Sequence, residues 1–110
     1  MAIIKSTQLR NRITGEYIAL RYFWLDDLKQ TARAYFSLYE SKQAAKDAPD
    51  APLVPIIAKV HFDPVHFADR LGGSARKANP RAAFYKALRE GVGVIFDLGP
   101  AFFADATDDI

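Results

Sequence analysis

Cysteine and long apolar runs are both absent from this chain of 110 residues. Without cysteine there are no disulfide bonds, no thiolate metal sites and no cysteine nucleophile, which favours an intracellular or virion-borne protein over a small secreted one. No apolar run approaches the ~20 residues of a membrane-spanning helix, and no signal-peptide core follows the first five residues. We therefore expect a soluble protein with a single domain, residues 1–110, and no membrane span.

A strong net charge is lacking as well, because fifteen Lys and Arg side chains stand against thirteen Asp and Glu side chains, a formal charge of +2. The charges are nevertheless segregated, with five basic and one acidic side chain in residues 76–91 and four acidic and no basic ones in residues 92–110. The basic patch consists of Arg76, Lys77, Arg81, Lys86 and Arg89. Such a dipolar chain suits contact with a protein at least as well as binding of phosphate groups.

Three segments have the composition of β-strands. Residues 16–25 and 31–40 are rich in aromatic and aliphatic side chains, contain no Pro or Gly and lie five residues apart, which predicts a hairpin at about 16–40. A third strand is predicted at about 53–62, where Pro55 requires either a later start or an edge position. Strict alternation divides the first strand into two faces, with Ile18, Leu20, Tyr22 and Trp24 on one and Tyr17, Ala19, Arg21, Phe23 and Leu25 on the other.

Capping signals predict two short helices after these strands, at about 64–71 and 80–90. Asp63-Pro64 and Asn79-Pro80 each place a capping side chain before a proline at the first helical position. Gly72-Gly73 and Gly91 supply the corresponding stops.

The remaining segments complete an α+β fold. Residues 41–52 are typical of a surface loop with one helical turn near 42–46, and residues 92–98 favour a short fourth strand. We expect a three- to four-stranded antiparallel meander, then the two helices, then an acidic C-terminal tail.

The two histidines provide the one candidate metal site, in the pattern His61-x-Asp63-x-x-His66. If the third strand ends at Asp63, this carboxylate caps a helix and nothing requires the three side chains to converge. We therefore predict no metal site and no cofactor.

Catalytic arrangements are no better supported. Asp26 and Asp27 at a hairpin tip are typical turn residues rather than an acid and base held apart in a cleft. The serines do not lie in a nucleophile elbow, and the glycine pairs lack the context of a phosphate-binding loop. We predict no catalytic residues and no enzymatic activity.

Aromatic and basic side chains alternate on the predicted outer face of the sheet, where Arg33 and Lys59 lie among the tyrosines. Sheets of this kind bind single-stranded nucleic acid by stacking, but Tyr and Arg are also the usual anchors of protein interfaces. The chain has no RNA-recognition signature, and its acidic tail would repel phosphate. We expect a protein interface, with a small nucleic-acid-binding or regulatory protein as the alternative; the interface residues predicted on the hairpin are Tyr17, Arg21, Phe23, Tyr35 and Tyr39.

The tail adds apolar surface to this expectation. Phe102 and Phe103 follow the chain break at Gly99-Pro100, and the chain as a whole is 50% hydrophobic. Two alternatives stay open: the tail folds back on the core, or it docks on a neighbouring subunit of a homo- or hetero-oligomer. In the docking case both phenylalanines belong to the interface, and replacing them with serine abolishes assembly without changing the fold. We take residues 1–13 and 99–110 as candidate N- and C-terminal arms.

The order of segments from residue 16 to residue 90 resembles small structural proteins that accompany the tail or baseplate of tailed bacteriophages and prophages. The similar segments are residues 16–22, EYIALRY; residues 34–42, AYFSLYESK; Pro52-Leu53 before the third strand; and residues 82–88, AAFYKAL. The resemblance implies a non-enzymatic virion protein of the tail, baseplate or fibre-attachment region whose partners are other virion proteins. It also implies location in the virion, and in the host cytoplasm during assembly.

Overall fold

The computed structural model describes residues 2–9, 12–71 and 79–109. The described residues form six β-strands and three α-helices, so the predicted α+β class with an antiparallel meander is confirmed, although the strand and helix counts are higher than predicted. The elements are β1 (Ala2–Gln8), β2 (Thr14–Asp26), β3 (Thr31–Tyr39), α1 (Lys42–Asp47), β4 (Val54–Phe62), α2 (Pro64–Leu71), α3 (Pro80–Glu90), β5 (Val94–Ile95) and β6 (Thr107–Asp109).

All six strands belong to one sheet in the order β5-β4-β3-β2-β1-β6, and every neighbouring pair is antiparallel. The four longer strands follow one another as a meander, with a short strand at each edge. β5 pairs with β4 only at Lys59 and Val60, so Pro55 lies on the part of β4 that no described strand covers on that side. This is the edge position that a proline requires, because proline cannot donate to a ladder.

Both predicted helices are present, and their capping signals act as expected. Asp63 Oδ1 accepts a hydrogen bond from the His66 backbone N–H at 2.8 Å at the start of α2, and Asn79 Oδ1 accepts one from Ala82 at 3.2 Å at the start of α3. Gly91 ends α3 in the left-handed conformation with φ 76°, which glycine adopts without steric cost. The stop predicted at residues 72 and 73 lies outside the described residues.

A β-bulge interrupts β2 at Arg21. Leu20 pairs with Phe36 and Tyr22 pairs with Tyr35, so two steps along β2 match a single step along β3. A bulge of this kind leaves the ladder locally unpaired and shifts the alternation of side chains by one residue.

The bulge reverses the predicted faces of the second half of β2. Phe23 and Leu25 pack against the core, on the side of Ile18, whereas Tyr22 and Trp24 are exposed. The prediction that assigned Tyr22 and Trp24 to the face of Ile18, and Phe23 to the outer face, is therefore wrong. Strict alternation fails because one residue was inserted into the strand.

Helix α3 stabilises the bulge through Tyr85. The Tyr85 hydroxyl accepts a hydrogen bond from the Leu20 backbone N–H at 2.5 Å, and its ring packs edge-on against Phe36 with centroids 5.3 Å apart. A backbone N–H that leaves its ladder must find another partner when it is away from water. Burial raises the pKa of the Tyr85 hydroxyl, so at neutral pH it stays protonated.

The core lies between one face of the sheet and the layer formed by α2, α3 and the tail. Phe62 on β4 stacks on Phe84 of α3 with centroids 5.1 Å apart, and Phe23 contacts the same ring at 5.9 Å. Phe67 of α2 is fully buried in the same cluster. Phenylalanine, which has no polar atom to satisfy, therefore supplies most of the aromatic area on the core face.

Part of each candidate arm belongs to the sheet, as β1 and β6. Residues 2–8 form β1, which pairs with β2 on one side and with β6 on the other. The tail folds back over the core, because Phe103 is fully buried against Phe96 and Phe102. Of the two alternatives for the tail, the fold-back is the one observed within this chain.

Lys5 fastens the folded tail to β1. Its ammonium donates to the Phe102 carbonyl oxygen, forms an ion pair with Asp105, and lies 4.1 Å from the centre of the Phe102 ring. The hydrogen bond from Lys5 lowers the pKa of the Asp105 carboxyl. β1 is thus joined to the tail by the side chain of Lys5 as well as by its backbone pairing with β6.

Candidate functional site

The outer face of the sheet, opposite the core, has a covered half and an open half. In the covered half, Tyr39 is buried beneath the segment between α1 and β4 and donates a hydrogen bond to the Pro49 carbonyl oxygen at 2.6 Å. Arg21 donates to the same oxygen at 2.6 Å and forms an ion pair with Asp50 at 3.3 Å. Its hydrogen bond with Tyr39 raises the pKa of Arg21. Both side chains therefore hold a loop in place.

The open half, which we call the open face, consists of Tyr22, Trp24, Arg33, Tyr35 and Lys59. Register places these side chains together, since Tyr22 pairs with Tyr35, Trp24 with Arg33, and Tyr35 with Lys59. The Trp24 ring meets Tyr35 edge-on with centroids 5.2 Å apart, and Tyr22 lies nearly parallel to Trp24 at 6.5 Å. Trp24 is 59% exposed and Tyr22 is 49% exposed.

Two hollows in the open face share Arg33 and Tyr35 as walls. The larger, of about 540 Å³, extends from Trp24 to the β2–β3 turn, where Asp26 and Asp27 lie. The smaller, of about 220 Å³, is bounded by Lys59 and His61, and Ile95, which is 61% exposed, closes its far side. We call these two adjacent hollows together the open groove.

Few of the predicted interface residues lie in this open groove. Tyr35 lines it, and Tyr17 lies on the same side of the sheet but beside Tyr39, in the covered half. Arg21 and Tyr39 hold the loop, as described above. Phe23 faces the core, where it contacts Phe84, so its predicted outer position is wrong.

The predicted interface in the tail is not exposed either. Phe103 is fully buried and Phe102 is partly buried against Phe96. These rings cover the hydrophobic core of their own chain, which explains how a small domain can absorb so many apolar side chains.

Three residues of the predicted basic patch, Arg81, Lys86 and Arg89, lie on α3. Arg76 and Lys77 lie outside the described residues. Arg81 stacks over Phe23 at 5.5 Å, while Lys86 lies in a cleft that also contains Asp69 and Glu90. Glu90 pairs with Arg70, and this hydrogen bond lowers the pKa of the Glu90 carboxyl. Acidic side chains thus interrupt the basic ones of α3.

Two of the three candidate metal ligands, Asp63 and His66, contact each other at the start of α2. The hydrogen bond from the His66 backbone lowers the pKa of Asp63, whose carboxylate lies 3.5 Å from His66 Nδ1. His61 lies on the outer side of β4, at the open groove. Within residues 2–9, 12–71 and 79–109, no three His, Asp or Glu side chains are placed to hold a metal ion.

Sequence reasoning missed Tyr22 and Trp24, the two most exposed aromatic side chains of the open face. One signal in the sequence could have identified them. In the run Tyr22-Phe23-Trp24-Leu25, the residues with a polar tip alternate with the purely apolar ones, and a polar tip favours the wet face. Taken alone, this run predicts that Tyr22 and Trp24 face outward, as they do in the structure. When strict alternation is continued from residues 17–20 into the run, it predicts that they face the core.

Comparison with protein-family models, curated proteins and solved structures finds no match to this chain. Of the helices that the structure describes, none is long and apolar enough to cross a membrane.

Proposed function

We propose that this protein is a non-enzymatic adaptor that binds another protein through the open face, in the tail, baseplate or fibre-attachment region of a phage or prophage particle. The observation that carries the proposal is the exposure of Trp24 and Tyr22 side by side on the outer face of the sheet. Trp, Tyr and Arg are the residues that most often dominate the energy of protein interfaces. The virion setting rests on the resemblance of residues 16–90 to tail and baseplate proteins.

The charges around these rings favour protein over nucleic acid. Arg21 lies over the Tyr22 ring at 5.6 Å and Lys59 over the Tyr35 ring at 5.7 Å, so each ring already has a cation on one of its faces. A nucleobase that stacks needs a free ring face and neighbouring cations for its phosphates. Asp26 and Asp27 at one end of the open groove weaken the attraction for phosphate further.

The edges of the sheet offer less to a partner than its open face. β5 contains two residues and β6 three, and in the part of β4 that β5 leaves uncovered, Pro55 cannot donate to an added strand. The open face, in contrast, presents aromatic rings that are fixed by contacts with one another. Rings that are already ordered lose little conformational freedom when a partner binds.

The test is site-specific photo-crosslinking during particle production in the native host. A benzophenone amino acid replaces Tyr22, and the matched control carries it at Val65, a 73% exposed residue of α2 away from the open face. We expect the Tyr22 position to crosslink to a protein that sediments with the particles, and the Val65 position to give at least tenfold less of that product.

Three results would overturn the proposal. They are a Tyr22 product that contains nucleic acid, a protein product that never sediments with particles, and equal yields from the two positions. As a second measurement, the double substitution Tyr22→Ser and Trp24→Ser should reduce incorporation into particles, whereas Val65→Ser should not. Thermal unfolding followed by circular dichroism checks that the variants remain folded.

A further inference from the structure

The open groove has an uneven distribution of charge along its length. The smaller hollow is bounded by Arg33, Lys59 and His61 and has no acidic side chain in its walls. The larger hollow includes Asp26 and Asp27 together with Lys29 and Arg33. A ligand in the open groove therefore meets positive charge at the β4 end and acidic side chains at the turn end.

The two cations at the β4 end lack an acidic partner among the residues that the structure describes. Arg33 is exposed and forms no ion pair with a described residue, and Lys59 lies over the ring of Tyr35. Arg21 and Arg70, in contrast, each pair with an acid of the same chain. Arg33 and Lys59 are thus the cations that remain available to a partner.

Arg33 and Lys59 border the apolar part of the open groove. Tyr35 pairs with Lys59, Trp24 pairs with Arg33, and Ile95 pairs with Lys59 on its other side. Arg33 pairs with His61 and Tyr35 pairs with Lys59, so Arg33 and Lys59 are diagonal neighbours on one face of the sheet, a relation in which residues lie about 7–8 Å apart. A carboxylate bound between Arg33 and Lys59 would therefore lie next to the rings of Trp24 and Tyr35. These rings can cover the apolar side chain of a neighbouring residue in the same partner segment.

We infer that the open groove binds an extended protein segment with a carboxylate side chain at the β4 end and an apolar side chain over Trp24 and Tyr35. This inference rests on the proposed function and names the chemistry of the partner. Arg33 supplies a planar guanidinium that can hold a carboxylate by two hydrogen bonds, and Lys59 adds a second charge. In the larger hollow Asp26 and Asp27 offset the charge of Lys29 and Arg33, so the excess of positive charge lies at the β4 end and gives the partner a direction.

The single tryptophan of the chain makes the test direct, because Trp24 lies in the open groove itself. Purified protein is titrated with synthetic peptides that contain no Trp or Tyr, and tryptophan emission is followed. The first peptide carries two Glu residues followed by Leu and Phe; its amide twin has Gln in place of Glu, and its basic twin has Lys. A thymidine oligonucleotide is the fourth probe.

We expect saturable binding of the acidic peptide, at least tenfold tighter than that of either twin and of the oligonucleotide. Arg33→Gln and Lys59→Gln should each bring the affinity for the acidic peptide close to that of the amide twin, while Lys86→Gln on α3 should leave it unchanged. Equal affinity for the acidic and amide peptides, no saturable change in emission, or tighter binding of the oligonucleotide would overturn the inference. If the crosslink from position 22 still identifies a particle protein in that case, the adaptor function stands and only the chemistry of its partner is wrong.

Discussion

The two faces of the sheet use aromatic residues in opposite ways. On the core face, Phe62 and Phe23 surround Phe84 of α3, and their ring area is removed from water. On the open face, Trp24 and Tyr22 keep about half of their surface exposed. β2 contributes side chains to both faces, as any strand does, and the bulge at Arg21 decides that Phe23 faces the core while Tyr22 and Trp24 face outward. The comparison shows that the type of aromatic residue, with or without a polar tip, indicates its face more reliably than its position in an alternating pattern.

The largest effect that this comparison predicts concerns Phe103, which covers the core, and Trp24, which does not. Replacing a fully buried phenylalanine by a small residue costs about 3–5 kcal/mol, a large part of the ~5–15 kcal/mol by which a domain is stable. We expect Phe103→Ser to lower the free energy of unfolding by that amount and Trp24→Ser to lower it by about 1 kcal/mol or less. Urea unfolding followed by far-ultraviolet circular dichroism measures both.

Phe103→Leu provides a milder variant if the serine protein does not fold at all, and it should lose part of the same stability. A Phe103→Ser protein with the urea midpoint of the unmodified chain would mean that the tail does not cover the core. Assembly measurements with this variant therefore need a stability control, since loss of assembly would follow from unfolding alone.

Much of the fold could be predicted because its signals are local. Asp63-Pro64 and Asn79-Pro80 start α2 and α3 at the predicted residues, and the hairpin forms around the predicted turn. β1 and β6 could not be predicted in the same way. They are short or weakly patterned, and β6 pairs with β1 alone among the described strands, a contact distant in sequence, while β1 lies between β6 and β2.

The site was less predictable than the fold for a related reason. The bulge at Arg21 is accompanied by a contact with Tyr85, a residue of α3, whose hydroxyl accepts the hydrogen bond of the Leu20 N–H. No feature of residues 16–25 alone indicates that contact. The prediction therefore applies strict alternation across the bulge and assigns Phe23 and Trp24 to the wrong faces of the sheet. Tyr35 was placed correctly because β3 is regular over that part of its length.

A smaller effect, of about 1–3 kcal/mol, is predicted for the hydroxyl that stabilises the bulge. Tyr85→Phe removes the acceptor of the Leu20 N–H, and a buried donor left without a partner costs its desolvation energy. Tyr22→Phe is the matched control, because it removes a hydroxyl from an exposed ring of the same type. We expect a lower free energy of unfolding for Tyr85→Phe alone, together with faster hydrogen exchange at the Leu20 amide. Unchanged exchange at Leu20 would mean that the Tyr85 hydroxyl does not protect this amide.

The smallest predicted effect concerns the ion pair that fastens the tail over the core face. Lys5 lowers the pKa of Asp105 in the folded protein, so the carboxylate stabilises the fold above the unfolded pKa of about 3.9 and stops doing so as the pH falls through the lower folded pKa. At neutral pH, we expect Asp105→Asn to lower the free energy of unfolding by less than Tyr85→Phe does. The loss should be smaller in high salt, because exposed ion pairs are screened. The difference should shrink below about pH 4 and vanish once Asp105 is protonated in both states.

Asp63 and Glu90 also have lowered pKa values, so both proteins lose stability in acid, and the difference between them isolates Asp105. Urea unfolding at a series of pH values measures it, with Asp27→Asn on the exposed turn as the control; a difference that persists in strong acid would show that the tail is held by something other than this ion pair.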